Sequence, residues 1–184
     1  PVRCADIHRG DRVVDVCSAP GGKTLHALIQ LAGTGFVSAR DVSEKKTEKI
    51  RENTERMGYG SDRVEIKVFD GTCEDSLWRG RADVVLADVP CSGIGIIGRK
   101  PEIKYHALDL ADDLVKIQRE ICKSAVRMLR PGGTFLYSTC TINPAENIEN
   151  VQWIEENLGL FTESIDPWIP ESLRNRMTAK GMLQ

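Results

Sequence analysis

Asp15-Val16-Cys17-Ser18-Ala19-Pro20-Gly21-Gly22-Lys23-Thr24 is the stretch on which the reading of the fold turns. Before it, Val13 to Val16 is a short β-branched run that reads as a buried strand; after it, Leu25, Leu28, Ile29 and Ala32 recur at helical spacing. The order is strand, glycine turn, helix. Gly21 and Gly22 carry no Cβ, so a ligand can approach the main chain closely, and the unpaired N–H groups of the first helical turn face the same crevice. A small polar or anionic ligand suits such a junction. A Gly-Gly turn also serves plain packing, and the spacing matches neither a phosphate-cradling loop nor G-x-G-x-x-G.

Further along, polar groups recur at strand ends. Gly33 and Gly35 close the first helix, and Phe36 to Ala39 leads into Arg40-Asp41 as a second strand. Asp41 lies 19 positions after Gly22, close to the ~20 at which an acid meets a nucleoside ribose in open α/β folds. A helix-capping or solvated loop acid is the alternative. Ser43 can cap a charged helix that runs to Met57 and stops at Gly58. Val64 to Phe69 alternates as a third strand and ends at Asp70-Gly71, an acid that could meet an adenine amino group or simply make a turn. Asp83 to Asp88 is a fourth strand, followed by Val89-Pro90-Cys91-Ser92-Gly93. In an open parallel sheet ligands bind beyond the carboxyl ends of the strands at the topological switch point, so these ends should converge on one crevice.

The loop from Ile97 to Tyr105 carries Arg99, Lys100 and Lys104 beside Tyr105. Such a cluster suits phosphate contact and base stacking, or is an ordinary solvated loop. An amphipathic helix is expected from about Leu110 to Leu129, with Leu114, Ile117, Ile121, Ala125, Val126 and Leu129 on one face; it reads as core. Pro131-Gly132-Gly133 turns the chain into a fifth strand, Thr134 to Ser138, which ends at Thr139-Cys140-Thr141. Asn143, Pro144 and Glu146 then form a capping-box arrangement for a helix running to about Leu158. Phe161 to Gln184 shows no clear element, and Gly181-Met182-Leu183-Gln184 looks like the entrance to another strand.

Composition narrows the class without naming a partner. With 41% hydrophobic and 28% charged residues, the 184-residue chain is an ordinary globular domain. No apolar run is long enough to span a membrane and the start is not a signal peptide, so a cytoplasmic monomer is expected, free of membrane contacts. Six cysteines (Cys4, Cys17, Cys73, Cys91, Cys122, Cys140) without any C-x-x-C pair, and three histidines, indicate neither a zinc site nor a disulfide scaffold. No metal is expected. A formal net charge of −2 is no footprint for nucleic acid, so RNA or DNA would need a local basic patch or another domain. The missing start methionine and the open-ended last strand suggest a piece of a longer protein.

Three motifs in order, Asp15 to Thr24, Asp88-Val89-Pro90-Cys91-Ser92-Gly93 and Tyr137-Ser138-Thr139-Cys140-Thr141-Ile142-Asn143-Pro144-Ala145-Glu146-Asn147, resemble those of the Nop/Sun family of RNA cytosine-5 methyltransferases. The stretch Gly95 to Tyr105 further resembles the bacterial small-subunit ribosomal RNA branch of that family. Ser18 stands where alanine is common, Val89 replaces a usual alanine and Glu102 a usual aspartate; no reacting group is lost. The resemblance implies a Rossmann-like α/β fold that binds S-adenosylmethionine, with a mostly parallel sheet, helices on both faces and truncation at the C-terminal sheet edge. It implies that Cys17, Ser18, Ala19, Pro20, Gly21, Gly22 and Lys23 wrap the methionine part of the cofactor. Asp41 would hold the ribose, Asp70 the adenine side, and Asp88 the methionine or the target base. It also implies an RNA substrate, probed by an N-terminal RNA-binding domain outside these residues, so that residues 1–184 are the catalytic domain alone.

Carbon 5 of cytosine is too weak a nucleophile to take a methyl group unaided. A thiolate adding to carbon 6 makes an enamine whose carbon 5 can attack. By the resemblance Cys140 is that thiolate, Cys91 assists its release, and Asp88 hydrogen-bonds the ring as charge develops. Two rivals differ in kind. A DNA cytosine methyltransferase would use Cys91 as nucleophile and leave Cys140 idle; a non-catalytic S-adenosylmethionine-binding module would use neither.

Overall fold

The computed structural model describes residues 1–105 and 111–182. The expected helix start at Leu110 and the strand entrance at Leu183 and Gln184 lie outside these residues, as do the side chains of Lys104 and Tyr105. Strands β1 (Arg12–Asp15), β2 (Phe36–Asp41), β3 (Val64–Val68), β4 (Ala82–Asp88) and β5 (Leu129–Ser138) form one five-stranded sheet in the order β3-β2-β1-β4-β5. Every described pairing is parallel. Helices α1 (Gly22–Leu31), α2 (Glu44–Arg56), α3 (Ala111–Val126) and α4 (Ile148–Leu158) supply the crossovers and cover. The sheet is therefore Rossmann-like, with its switch point between β1 and β4.

The three central strands, β1, β2 and β4, bury both faces, which is why they read as continuous apolar runs. Val13, Val37, Ala39, Val64, Val84 and Leu86 meet Ala27, Leu28 and Leu31 of α1 and Ile50 of α2 on one side. Val14, Val16, Val85 and Ala87 meet Ile121, Ala125 and Met128 on the other. Details of the expected helices change. In α1 the buried positions are Thr24, Ala27, Leu28 and Leu31, while Ile29 is 56% exposed, so the inward stripe is rotated from the one expected. Ser43 precedes α2 without a side-chain capping bond; its N–H donates instead to Asp41 Oδ1 at 3.2 Å.

Two boundaries need correction. Leu129 belongs to β5, not to the preceding helix, and Pro131-Gly132-Gly133 is an irregularity inside β5: Ala82 pairs with Leu129 but Val84 with Thr134. Gly133 permits it, because a Cβ there would lie 2.9 Å from the Asp83 carbonyl oxygen. The expected single helix after Asn143 is instead a 3-10 turn, Pro144–Glu146, followed by α4, with the break at Asn147. Asn143 does cap, its Oδ1 accepting from Ala145 N at 3.2 Å, but the Glu146 carboxylate turns inward and does not close a capping box. Beyond α4 the chain makes three short 3-10 turns.

One charged side chain lies in the core. Arg40 is fully buried, with its guanidinium over the rings of Phe69 and Trp78 at 5.0 and 5.6 Å and its Nη2 3.1 Å from Asp75 Oδ2. Lys67 Nζ reaches the same oxygen at 3.3 Å. Two basic side chains and the Leu77 N–H hold the Asp75 carboxyl below the usual carboxylate range despite burial. Asp75→Ala would strand the Arg40 charge, so urea unfolding should show a loss of about 3–5 kcal/mol. Adding Arg40→Met should recover part of it, and no recovery would mean that the stranded charge is not the cause.

Asp15, at the end of β1, is also fully buried. Thr24 Oγ1 donates to its Oδ2 at 2.7 Å, whereas Oδ1 has no partner. Burial pushes this carboxyl up to about 7. The native state thus keeps a proton that the unfolded chain releases near pH ~3.9, so stability falls as pH rises from about 4 to about 7 and levels off above. In Asp15→Asn that fall should become shallower in unfolding curves taken across the window. Parallel curves for the two proteins would assign the slope to other groups.

Candidate active site

The turn after β1 is tied to the end of β2 by a single carbonyl. Ser18 N and Ser18 Oγ both donate to the Arg40 oxygen, at 2.8 and 2.7 Å, and Gly21 N donates to Ser18 O at 2.6 Å. Gly21 has φ +104°, a left-handed conformation that favours glycine, and a Cβ there would touch Ile50. At Gly22 a Cβ would meet nothing within 4 Å. The first glycine therefore serves the turn, and the second leaves open the space in front of α1. Cys17 is a half-buried thiol whose burial pushes it up to about 12, an environment for packing rather than reaction.

The strand-end acids occupy different settings. Asp41 is 7% exposed at the end of β2, with the Ser43 N–H and the Lys46 ammonium, 3.8 Å away, beside Oδ1. Asp70, past β3, is exposed; Thr72 N and Oγ1 donate to its Oδ1 at 2.9 and 2.7 Å and hold its carboxyl below the usual range. This makes a local turn through Oδ1. Asp88 ends β4 between Lys23 Nζ, 2.6 Å from Oδ2, and Ser138 Oγ, 2.7 Å from Oδ1. Lys23 is thus not a free cation at the glycine turn: it links that turn to Asp88.

Beyond Asp88 the loops after β4 and β5 meet. Cys91 and Cys140 approach to 3.1 Å between sulfurs, and Cys140 N donates to Cys91 Sγ at 3.2 Å. Cys140 is exposed and Cys91 half-buried. Burial, reinforced by the hydrogen bond to Cys140, pushes the Cys91 thiol up to about 12. Cys91 is held as S–H, and the sulfur open to solvent is Cys140. The close approach also needs Gly95, whose N–H donates to Cys140 O at 3.1 Å and where a Cβ would lie 2.9 Å from that oxygen.

Several polar residues around the thiols escape a reading of motifs. Gln118 is fully buried on α3 and reaches both Pro90 O and Glu146 Oε2 at 2.9 Å through Nε2. The expected stripe of α3 therefore needs revising: Ile117 is 44% exposed, and a glutamine takes an inward place. A polar residue at helical spacing from Leu114, Ile121 and Ala125 was the available signal. Ser92 and Thr141 join the two loops directly, their hydroxyls 2.7 Å apart. Among the described residues no group of three or more His, Cys, Asp or Glu side chains could hold a metal ion, and no helix is long and apolar enough to cross a membrane.

A glycine turn facing open space, a carboxylate–ammonium pair and two adjoining thiols thus lie along the carboxyl edge of one parallel sheet. A sequence model of the family described as 16S rRNA methyltransferase RsmB/F matches residues 3–159. The ribosomal RNA small subunit methyltransferase B of Klebsiella pneumoniae (strain 342) is 38% identical over 146 residues, which cover 77% of this chain and 32% of that protein. The ribosomal RNA small subunit methyltransferase F of Salmonella agona (strain SL483) is 32% identical over 182 residues, or 97% of this chain and 37% of that one. Among solved structures, NSun6 from Pyrococcus horikoshii with SFG superposes with a TM-score of 0.73 at 28% identity, covering 89% of this chain and 43% of that chain. PH0851 superposes at 0.80 with 34% identity, over 84% of this chain and 35% of the other. The chain spans about a third of the length of the curated relatives it matches. Matched over most of its length and carrying its thiols and glycine turn within the matched residues, the chain belongs to the RsmB/F family of 16S rRNA methyltransferases.

Proposed function

We propose that residues 1–184 are the catalytic domain of an enzyme that transfers a methyl group from S-adenosylmethionine to carbon 5 of cytosine in small-subunit ribosomal RNA. The observation that carries this reading is the pair of sulfurs 3.1 Å apart in the loops that follow adjacent parallel strands, one exposed and one half-buried. The names of the relatives support the substrate class.

The cofactor fits the residues present. The open space in front of Gly22 admits a chain close to the backbone, and Asp41 keeps a sheltered carboxylate of the kind that accepts ribose hydroxyls. Cys17 to Lys23 would hold the methionine part, Asp41 the ribose and Asp70 the adenine side. Bound there, S-adenosylmethionine supplies an electrophilic methyl on a sulfonium.

The chain's own residues do the rest. The target base must leave its stack to reach both thiols. Cys140, its proton lost to solvent, bonds as thiolate to carbon 6, and the carbon 5–carbon 6 π electrons move onto carbon 5 and into the ring. Asp88 accepts from the exocyclic amino group, while Lys23 beside it offsets the charge. Once carbon 5 carries the methyl group, its proton leaves to a base, the carbon 5–carbon 6 double bond re-forms, and Cys140 departs with the sulfur–carbon electron pair. The Cys91 S–H, already at hydrogen-bond distance, donates to that sulfur as it leaves.

Two measurements test the reading. Asp41→Ala should weaken binding of S-adenosylmethionine in calorimetry by roughly ten- to a hundredfold, the worth of about 1.5–3 kcal/mol for a hydrogen bond to a charged group; unchanged affinity would leave Asp41 a turn acid. In protein at its native length, Cys140→Ala should lose both methyl transfer and any covalent RNA adduct. Cys91→Ala should methylate and then accumulate a protein–RNA species that survives a denaturing gel. An adduct kept by Cys140→Ala and lost by Cys91→Ala would assign the nucleophile to Cys91, and a wild-type protein that neither methylates nor forms an adduct would reduce the domain to a binding module.

A further inference from the structure

Glu146 is a fully buried acid on the turn between the Cys140 loop and α4. Its side chain has no exposure, and no Lys, Arg or His among the described residues forms an ion pair with it. Its compensation is a set of neutral donors: Ser92 N at 2.8 Å and Gln118 Nε2 at 2.9 Å on Oε2, and Asn143 Nδ2 at 3.1 Å on Oε1. A buried carboxylate is costly unless such donors satisfy it, so its retention calls for a reason beyond filling space.

Its donors bracket the thiols. Ser92 immediately follows Cys91, and the Gln118 amide that reaches Glu146 also donates to the carbonyl of Pro90, which immediately precedes Cys91. The backbone is therefore gripped on both sides of that thiol by one buried pair. Asn143 extends the same grip to the loop carrying Cys140, and Tyr137 OH, on the strand leading into that loop, donates to the Glu146 main-chain oxygen at 2.7 Å.

We propose that Glu146 is a positioning residue, which through Ser92 and Gln118 fixes the Cys91 sulfur against Cys140 and so governs release of the covalent RNA intermediate. This rests on the reading that Cys140 attacks and Cys91 assists departure. Most of the grip is on the Cys91 loop. Loosening it should impair release more than attack, because a sulfur displaced by about 1 Å can lose on the order of a hundredfold in rate.

Glu146→Gln tests this, since the amide places an N–H2 where an acceptor is needed while nearly preserving volume. The protein at its native length is incubated with substrate RNA and S-adenosylmethionine for adduct build-up, and with 5-fluorocytosine RNA for the rate of attack. The variant should bind cofactor as wild type does, attack at close to the wild-type rate, and release RNA roughly ten- to a hundredfold more slowly, leaving a denaturation-resistant species. Combined with Cys91→Ala it should slow release no further than Cys91→Ala alone. Wild-type release by folded Glu146→Gln overturns the proposal, as does an equal loss of attack and release that adds to the Cys91→Ala effect. If Glu146→Gln does not fold, Gln118→Met removes the shared amide at similar volume and carries the same two outcomes. Failure of Cys91→Ala itself to accumulate adduct would instead overturn the underlying reading of the two thiols, which separates the two failures.

Discussion

Parallel pairing of β1 with β2 on one side and β4 on the other is the constraint on which the site depends. Asp15 stands opposite Ala39 and Leu86 in the two registers, so the chain leaves β1, β2 and β4 at the same end of the sheet. A shift of one residue in either pairing would exchange the side chains that pack against α1 and α2 with those that pack against α3. The polar ends therefore have no freedom to scatter, and the glycine turn, Asp41 and Asp88 are delivered together by the packing of Val13, Val14, Val84 and Val85. The pairing of β5 with β4, through Asp88 and Ser138, brings the second cysteine loop to the first.

Along that edge two regions with different chemistry share one connection. The turn at residues 17–23 and Asp41 form one side; Cys91 and Cys140 form the other. Lys23 and Asp88 join them, and Ser138, two residues before Cys140, donates to the same carboxylate. In the function proposed above, a methyl donor and an acceptor base would meet here, on either side of that ion pair.

Strands were legible because the central ones are buried on both faces and the edge strand β3 alternates: β2 matches the expected residues and β1, β3 and β4 differ by a residue at their ends. Motifs exposed the turn, the acids and the cysteines for a related reason, since residues that meet ligands are poorly explained by packing. Networks were not legible. Glu146 looked like a capping residue because capping depends on local spacing, whereas its true partners, Ser92 and Gln118, are brought to it by the fold. Gln118 was lost within a stripe read as apolar. Ile29 and Ile117 were assigned to the interior by periodicity, which finds a helix face only to within one neighbouring row; both are exposed. The irregularity in β5 was hidden because Pro-Gly-Gly reads as a turn in any context.

Arg40 faces two ways, and this has a consequence for how the protein tolerates change. Its main-chain oxygen receives both Ser18 bonds of the glycine turn, while its guanidinium is clamped among Phe69, Trp78 and Asp75. The residue acts as a rivet through the sheet: slack at its head becomes play at its tail. Substitutions around Trp78, deep in the core, would be felt at Ser18, and drift in that hidden layer would be read out as a change in the geometry of the glycine turn.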